Sequence, residues 1–196
     1  LINALNEKNL KAARDQNPLT KLPGNRAVTE YIETALNSGG EYIFAYIDLD
    51  NFKPFNDKFG FRQGDRAIML FADTIKRELS LYKPFIGHIG GDDFFVGYKF
   101  EKGEYGEFQS ALKKALIKFA QNAESFYSKE DRKSGYITAK DRFGTSRDFP
   151  LLSASCACVT AQPEKNRLSA DDIVYESAEL KKEAKSSPEK FAFKRL

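Results

Sequence analysis

Three observations predict an α+β fold for this 196-residue chain, with helices covering a mainly antiparallel sheet. Apolar residues recur at helical spacing in several segments, most clearly Ile68, Phe71, Ala72, Ile75 and Leu79. Short apolar, β-favouring runs lie between those segments. Two of the runs flank Gly90-Gly91, and a tight hairpin turn favours glycine, which accepts positive φ at little cost.

The elements follow in order. Residues 1–16 have the weak stripe of a polar connector helix, carried by Leu1, Leu5 and Ala12. A chain that opens in mid-helix is expected to be a piece of a longer protein. Pro18, Pro23 and Gly24 end that helix. Val28, Ile32 and Leu36 predict a helix over 26–37, closed by Ser38-Gly39-Gly40, and Tyr42 to Ile47 is a strand. A helix over 64–81 precedes strands at 85–89 and 93–100. Phe108, Leu112, Leu116, Phe119 and Phe126 mark a long helix over about 106–127. Residues 128–148 are polar and charged, and predict a small hairpin or excursion outside the core. A strand at 151–159, a helix at 170–185 and an edge strand at 191–193 complete the chain. The boundaries are a connector at 1–16 and one domain at 17–196, with an extended segment at about 101–148.

Composition narrows the function. Hydrophobic residues make up 41%, with 17 Phe and 9 Tyr, enough for a sizeable core. A net charge of +3 gives no dominant surface for nucleic acid, so none is expected as a partner. Cys156 and Cys158 share one face of a strand and cannot form a disulfide framework, which points to a reducing, cytoplasmic setting. No run is long enough to span a bilayer and no signal peptide is visible, so the segment is expected to be soluble without membrane contact.

The chemistry concentrates in two acidic motifs. Ala45-Tyr46-Ile47-Asp48-Leu49-Asp50-Asn51-Phe52-Lys53 and Ile89-Gly90-Gly91-Asp92-Asp93-Phe94 each set carboxylates at the edge of an apolar run. Paired strand ends bearing carboxylates gather hard oxygen ligands for Mg²⁺ while leaving room for a phosphate. An EF-hand reading of Asp48 and Asp50 fails, because Phe52, Lys53 and Phe59 fall where such a loop needs other residues. Asp50 is read as a solvated or capping residue, His88 as a half-buried strand residue, and the cysteines as packing. Chemistry alone leaves Lys53 open as a surface lysine, and Asn56 and Asp65 as ordinary cap and turn residues. No Walker A pattern competes for a nucleotide.

Together these stretches resemble the GGDEF domains of the diguanylate cyclase family. Asn17-Pro18-Leu19-Thr20-Lys21-Leu22-Pro23-Gly24-Asn25-Arg26 is similar to that family's opening D-x-L-T-x-L-x-N-R. Asp48 to Gly60 resembles D-x-D-x-F-K-x-x-N-D-x-x-G, Gly64-Asp65 the following G-D, and Gly90 to Phe94 the signature itself. Ser153 to Val159 and the last helix continue the likeness. The resemblance implies a palm-like nucleotide-cyclase fold that joins two GTP into cyclic di-GMP as a homodimer with Mg²⁺ or Mn²⁺. It also implies sensory or output domains elsewhere in the full-length protein, which could be membrane-attached. By position, Asp48, Asp92 and the Leu49 carbonyl become metal ligands, and Asp93 joins Asp48 and Asp92 as catalytic acid. Gly90, Gly91, Lys53 and Lys185 fall at the phosphates, and Asn56 and Asp65 at the guanine edge. His88 stands where many relatives carry an arginine.

Three departures bear on activity. Asp93 replaces the signature's second Glu and is one methylene shorter. The product-inhibition motif R-x-x-D falls on Leu81 and Pro84, which cannot bind phosphate or guanine. The C-terminal A-D-x-A-L-Y-x-A-K-x-x-G-R-N motif is altered. Aligning Ala184-Lys185 with its A-K keeps the lysine and puts Glu189 at the arginine, while aligning Ala170-Asp171 keeps Tyr175 and loses the lysine to Ala178. The first register is preferred. The segment at 101–148 also exceeds what a compact domain needs. Two classes therefore stay open, a working cyclase and a degenerate module that binds GTP and regulates an attached domain. A polymerase-like palm resembling the GGDD-bearing CRISPR effectors explains only Gly90 to Asp93.

Overall fold

The computed structural model describes residues 15–101, 103–140, 144–164 and 167–196. The connector helix expected at 1–16 lies outside the described residues, apart from Asp15 and Gln16. Helix α1 spans Asn25–Leu36 and strand β1 Glu41–Asp50. Helices α2, Phe52–Phe59, and α3, Phe61–Glu78, come next. They precede the hairpin of β2, Phe85–Gly90, and β3, Asp93–Phe100. Helix α4 spans Tyr105–Ala123, a 3₁₀ turn Glu124–Phe126 and helix α5 Lys129–Ser134. Strands β4, Tyr136–Lys140, and β5, Ser146–Pro150, form a separate two-stranded sheet. Strand β6 is Ser153–Ala161, helix α6 Ala170–Ser186 and strand β7 Phe191–Arg195.

The main sheet runs β2-β3-β1-β6-β7, antiparallel throughout except for the parallel β6–β7 edge. The fold is thus α+β with a mostly antiparallel sheet. Strand β1 lies at its centre and is covered on both faces. Ile43, Ala45, Ile47 and Leu49 enter one core with Phe71 and Ile75 of α3 and Phe108, Leu112 and Phe119 of α4. Tyr42, Phe44 and Tyr46 enter a second core with Val28 and Ile32 of α1 and Ile173, Leu180 and Ala184 of α6. Period two along the strand accounts for that split. Asp48 and Asp50 continue the second set, so both carboxylates belong to the face that α1 and α6 cover.

Three expectations need revision. Residues 52–59, read only as part of a motif, form a short helix, α2, bounded by Asn51 at φ 61° and Gly60 at φ 83°. Gly60 joins α2 to α3 in a left-handed conformation that glycine adopts without strain. The segment at 101–148 is not extraneous to the core: α4 fills one face of the sheet, and Tyr127 and Ile137 are buried. The Tyr127 ring packs against Phe55 and Phe59, and its hydroxyl accepts from the Leu152 N–H at 2.8 Å. Asp50 is neither solvated nor a cap. It is 7% exposed, pairs with Ser153 across the β1–β6 ladder, and accepts from the hydroxyls of Ser153 at 2.9 Å and Ser155 at 3.0 Å. A buried carboxylate needs such donors.

Cys156 and Cys158 are fully buried on the α3–α4 face and unbridged, and burial pushes the Cys158 thiol up to about 12. Neither is a reactive thiol. Among the described residues no helix is long and apolar enough to cross a membrane.

Candidate active site

Asp48, Asp92 and Asp93 meet at the ends of three strands. Asp48 lies opposite Asp93 on β3 and Ser155 on β6. The hairpin places Gly91 and Asp92 in the two turn positions between paired Gly90 and Asp93, one residue further along than Gly90-Gly91 themselves. Gly91 supplies the left-handed φ of 57° that the turn requires. The Leu49 N–H donates to the Asp92 carbonyl at 3.2 Å, tying the turn to β1. The Asp92 carboxyl is raised above the usual carboxylate range, first by burial and then by the charge of Asp48. That mutual repulsion is the mark of carboxylates gathered without enough positive charge.

Positive charge comes from α6. Its N-terminus is fixed by a capping box between Ser169 and Asp172. About four and a half turns of helix then carry Lys185 to Asp48, with Nζ 2.7 Å from Oδ1. Burial opposes the Lys185 ammonium, but the hydrogen bond and charge of Asp48, with Asp50 and Asp92 behind it, raise its affinity for the proton overall. Lys181, one turn earlier, is ion-paired with Asp93 and lies 3.8 Å from Asp48 Oδ2. Sequence reasoning passed over it. The available signal was its i, i+4 spacing from Lys185, which sets both on one helix face. Glu189, at the motif's arginine, pairs instead with Lys113 of α4 at 2.5 Å.

The donor set suits a divalent cation that arrives with phosphate. Among the described residues no three or more His, Cys, Asp or Glu side chains are grouped to hold a metal alone. Two carboxylates completed by substrate oxygens is the usual magnesium arrangement, whereas an all-protein cage is not.

The remaining predicted residues lie on the α2–α3 side. Lys53 is exposed in the first turn of α2. Asn56 Oδ1 is buried without a hydrogen-bond partner among the described residues and packs on Gly64, where an added Cβ would come within 1.9 Å. Its amide nitrogen lies 3.2 Å from the same position. Asp65 is exposed and lines a cleft of about 470 Å³ with Leu19, Met69 and Asp73. Leu81 is 89% exposed and Pro84 is half-buried, and neither offers a charge.

His88 is a structural tie. It is 2% exposed, stacked on Phe94 with ring centroids 4.3 Å apart. Its Nδ1 lies 3.0 Å from Thr20 Oγ1 and its Nε2 3.0 Å from the Gly91 carbonyl. Nε2–H donating to Gly91 and Nδ1 accepting from the Thr20 hydroxyl satisfies both. The opening motif is thereby joined to the signature turn. Burial lowers the imidazole's affinity for a proton, outweighing the Gly91 hydrogen bond and the charge of Asp93. The unfolded chain therefore takes up that proton first, and stability present above about pH 6.5 declines as pH falls. Urea midpoints at pH 7.5 and 5.5 are expected to differ for the native chain and to converge in His88→Gln. Equal pH sensitivity in both proteins would contradict the assignment, since this is the chain's only histidine.

Residues 13–139 match the family described as "Diguanylate cyclase, GGDEF domain". The lysines of α6 lie beyond that match. Diguanylate cyclase DgcP of Escherichia coli is 36% identical over 102 residues, covering 49% of this chain and 30% of that protein. The Pseudomonas aeruginosa protein of the same name is 34% identical over 96 residues, covering 47% and 14%. The chain thus spans less than a third of either curated relative. Two solved structures share the fold. The coiled coil and GGDEF domain of DgcB from Caulobacter crescentus, in complex with c-di-GMP, superposes with TM-score 0.70 at 19% identity, over 98% of this chain and 93% of that one. Diguanylate cyclase SiaD of Pseudomonas aeruginosa, in complex with its activator SiaC, gives 0.67 at 21%, over 98% and 66%.

Proposed function

Since the chain belongs to the diguanylate cyclase GGDEF-domain family, we propose that it loads one GTP at the Asp48–Asp92 strand ends and that two copies condense their GTP into cyclic di-GMP. The observation that carries this is the convergence of Asp48, Asp92 and Asp93 with Lys185 at one end of the sheet. Asp48, Asp92 and the Leu49 carbonyl would hold Mg²⁺ or Mn²⁺. Bound there, the cation supplies Lewis acidity at the α-phosphate and favours ionisation of the attacking 3′-hydroxyl.

The chain's own groups do the positioning. Gly90 and Gly91 present backbone without side chains, so a phosphate can approach the turn closely. Lys185 and Lys53 neutralise the β- and γ-phosphates of the leaving pyrophosphate. Asp65 accepts from guanine N1–H and N2–H₂, and the Asn56 amide donates to O6 or N7. Asp93 holds the second acidic position beside Asp48. Each 3′-oxygen forms one bond to the other nucleotide's α-phosphorus as one bond to pyrophosphate breaks. Two GTP therefore give one cyclic product and two pyrophosphates. The two hydroxyls must face two α-phosphates, so the half-sites meet across a two-fold axis. GTP as substrate places the domain in the cytoplasm, with sensory or output domains in the rest of the protein.

Two observations favour a second reading. Asp93 is ion-paired with Lys181, and the motif arginine is replaced by Glu189. A domain so altered could hold GTP and act on an attached domain without turnover. Incubation with GTP and Mg²⁺, followed by chromatography, separates the two. Cyclic di-GMP and pyrophosphate in a ratio of one to two are expected. GTP bound but unchanged would support the second reading, and GTP neither bound nor consumed would refute both.

A further inference from the structure

We propose that Lys181 is a second phosphate-binding lysine, held on Asp93 until a nucleoside triphosphate arrives, and that this contact restrains divalent-cation binding by the empty site. The proposal deepens the GTP reading above and rests on it for the identity of the triphosphate. Lys181 and Lys185 stand one turn apart on α6 and share Asp48, with Lys181 paired to Asp93 as well. Lys182, their neighbour, points away and pairs with Glu179. Helix phase therefore delivers two lysines to the site and sends the third to solvent.

Charge balance gives the two lysines different consequences for a cation and for a phosphate. Asp48, Asp50, Asp92 and Asp93 face Lys181, Lys185 and, beside Asp50, Lys190, leaving one formal negative charge where four carboxylates alone would leave four. A divalent cation entering without nucleotide must compete with the Lys181 and Lys185 ammonium groups for the carboxylate oxygens. A triphosphate changes the competition, because it adds anionic oxygens beside the carboxylates. Lysine's flexible four-carbon stem and three donors let the ammonium turn from carboxylate to phosphate without moving the helix. Charge-assisted N–H···O⁻ bonds then replace the ion pair with one of similar kind. Lys181 would leave Asp93 free at the moment substrate is bound. A half-exposed ion pair adds little to folding, so the contact is poorly explained as a structural clamp.

The test compares the native chain with Lys181→Met and Lys181→Arg by calorimetry. Three probes are used: Mn²⁺ alone, α,β-methylene GTP with Mg²⁺, and GMP. Lys181→Met is expected to bind Mn²⁺ more tightly in the absence of nucleotide. The same variant should bind the triphosphate analogue about tenfold more weakly, the cost of one charged hydrogen bond. GMP affinity should stay unchanged, and Lys181→Arg should restore the analogue. A clamp with no ligand role would lower the melting temperature and leave the affinities alone, which would overturn the proposal. Mn²⁺ affinity that falls in Lys181→Met would overturn it as well. A native chain that binds no analogue would refute the GTP reading and the phosphate role together. The Mn²⁺ titration would still judge the Asp93 contact by itself.

Discussion

Asp48→Asn and Asp92→Asn are each expected to lower Mg²⁺-dependent GTP affinity by about a hundredfold or more. Loss of an outer partner of a metal ligand already costs about 10- to 100-fold, and these residues would be ligands themselves. Stability should not follow affinity. The Asp92 carboxylate is disfavoured in place by burial and by Asp48, so a neutral amide relieves repulsion and should leave the fold as stable or slightly more so. Asp48→Asn strips Lys185 of its partner, but that lysine is half-exposed and the loss should stay within about 1 kcal/mol. Calorimetry with and without Mg²⁺, beside a thermal melt, separates the two effects. Unchanged metal-dependent binding in both variants would remove the carboxylates from the site.

Base choice gives the second large effect. Asn56→Ala and Asp65→Ala should each weaken GTP binding about tenfold while ATP affinity stays low and unchanged, since an unpaired polar edge costs about 1–3 kcal/mol. Gly64→Ala offers a subtler check. A Cβ at that position would meet Asn56 Oδ1 at 1.9 Å, so the amide must move although the fold can remain. Alanine in a helix is also more favourable than glycine by about 0.8–1.0 kcal/mol. The expected result is an equal or higher melting temperature with reduced preference for GTP over ATP. Equal affinity of the native chain for both nucleotides would end the case for Asn56 and Asp65 as the base reader.

The outline of the fold was legible where the pattern is local. Ile68, Phe71, Ala72, Ile75 and Leu79 announce α3 because a long amphipathic stripe repeats several times. Helix α2 carries only a short stripe, Phe52, Phe55 and Phe59, since eight residues give barely two turns, and its limits depend on Asn51 and Gly60 adopting positive φ. The carboxylates were legible as types at strand ends. Their surroundings were not, because those come from distant parts of the chain. Asp50 is buried on account of Ser153 and Ser155, some hundred residues downstream. Lys181 and Lys182 are adjacent and chemically alike, and only the phase of α6 sends one to Asp93 and the other to Glu179. Likewise Thr20 and His88 look unrelated until the fold brings them within 3.0 Å.

Product formation per chain, followed across a hundredfold dilution of protein at saturating GTP and Mg²⁺, tests the central claim most directly. Each chain is proposed to hold one nucleotide, so a single copy has no second α-phosphate within reach. Cyclic di-GMP formed per chain per minute should therefore rise with protein concentration until the paired form saturates. Fusion of a strong dimerising coiled coil before Leu1 should flatten that dependence at its upper value. A rate per molecule that stays constant over the whole dilution, with light scattering reporting monomer throughout, would contradict condensation between two facing half-sites.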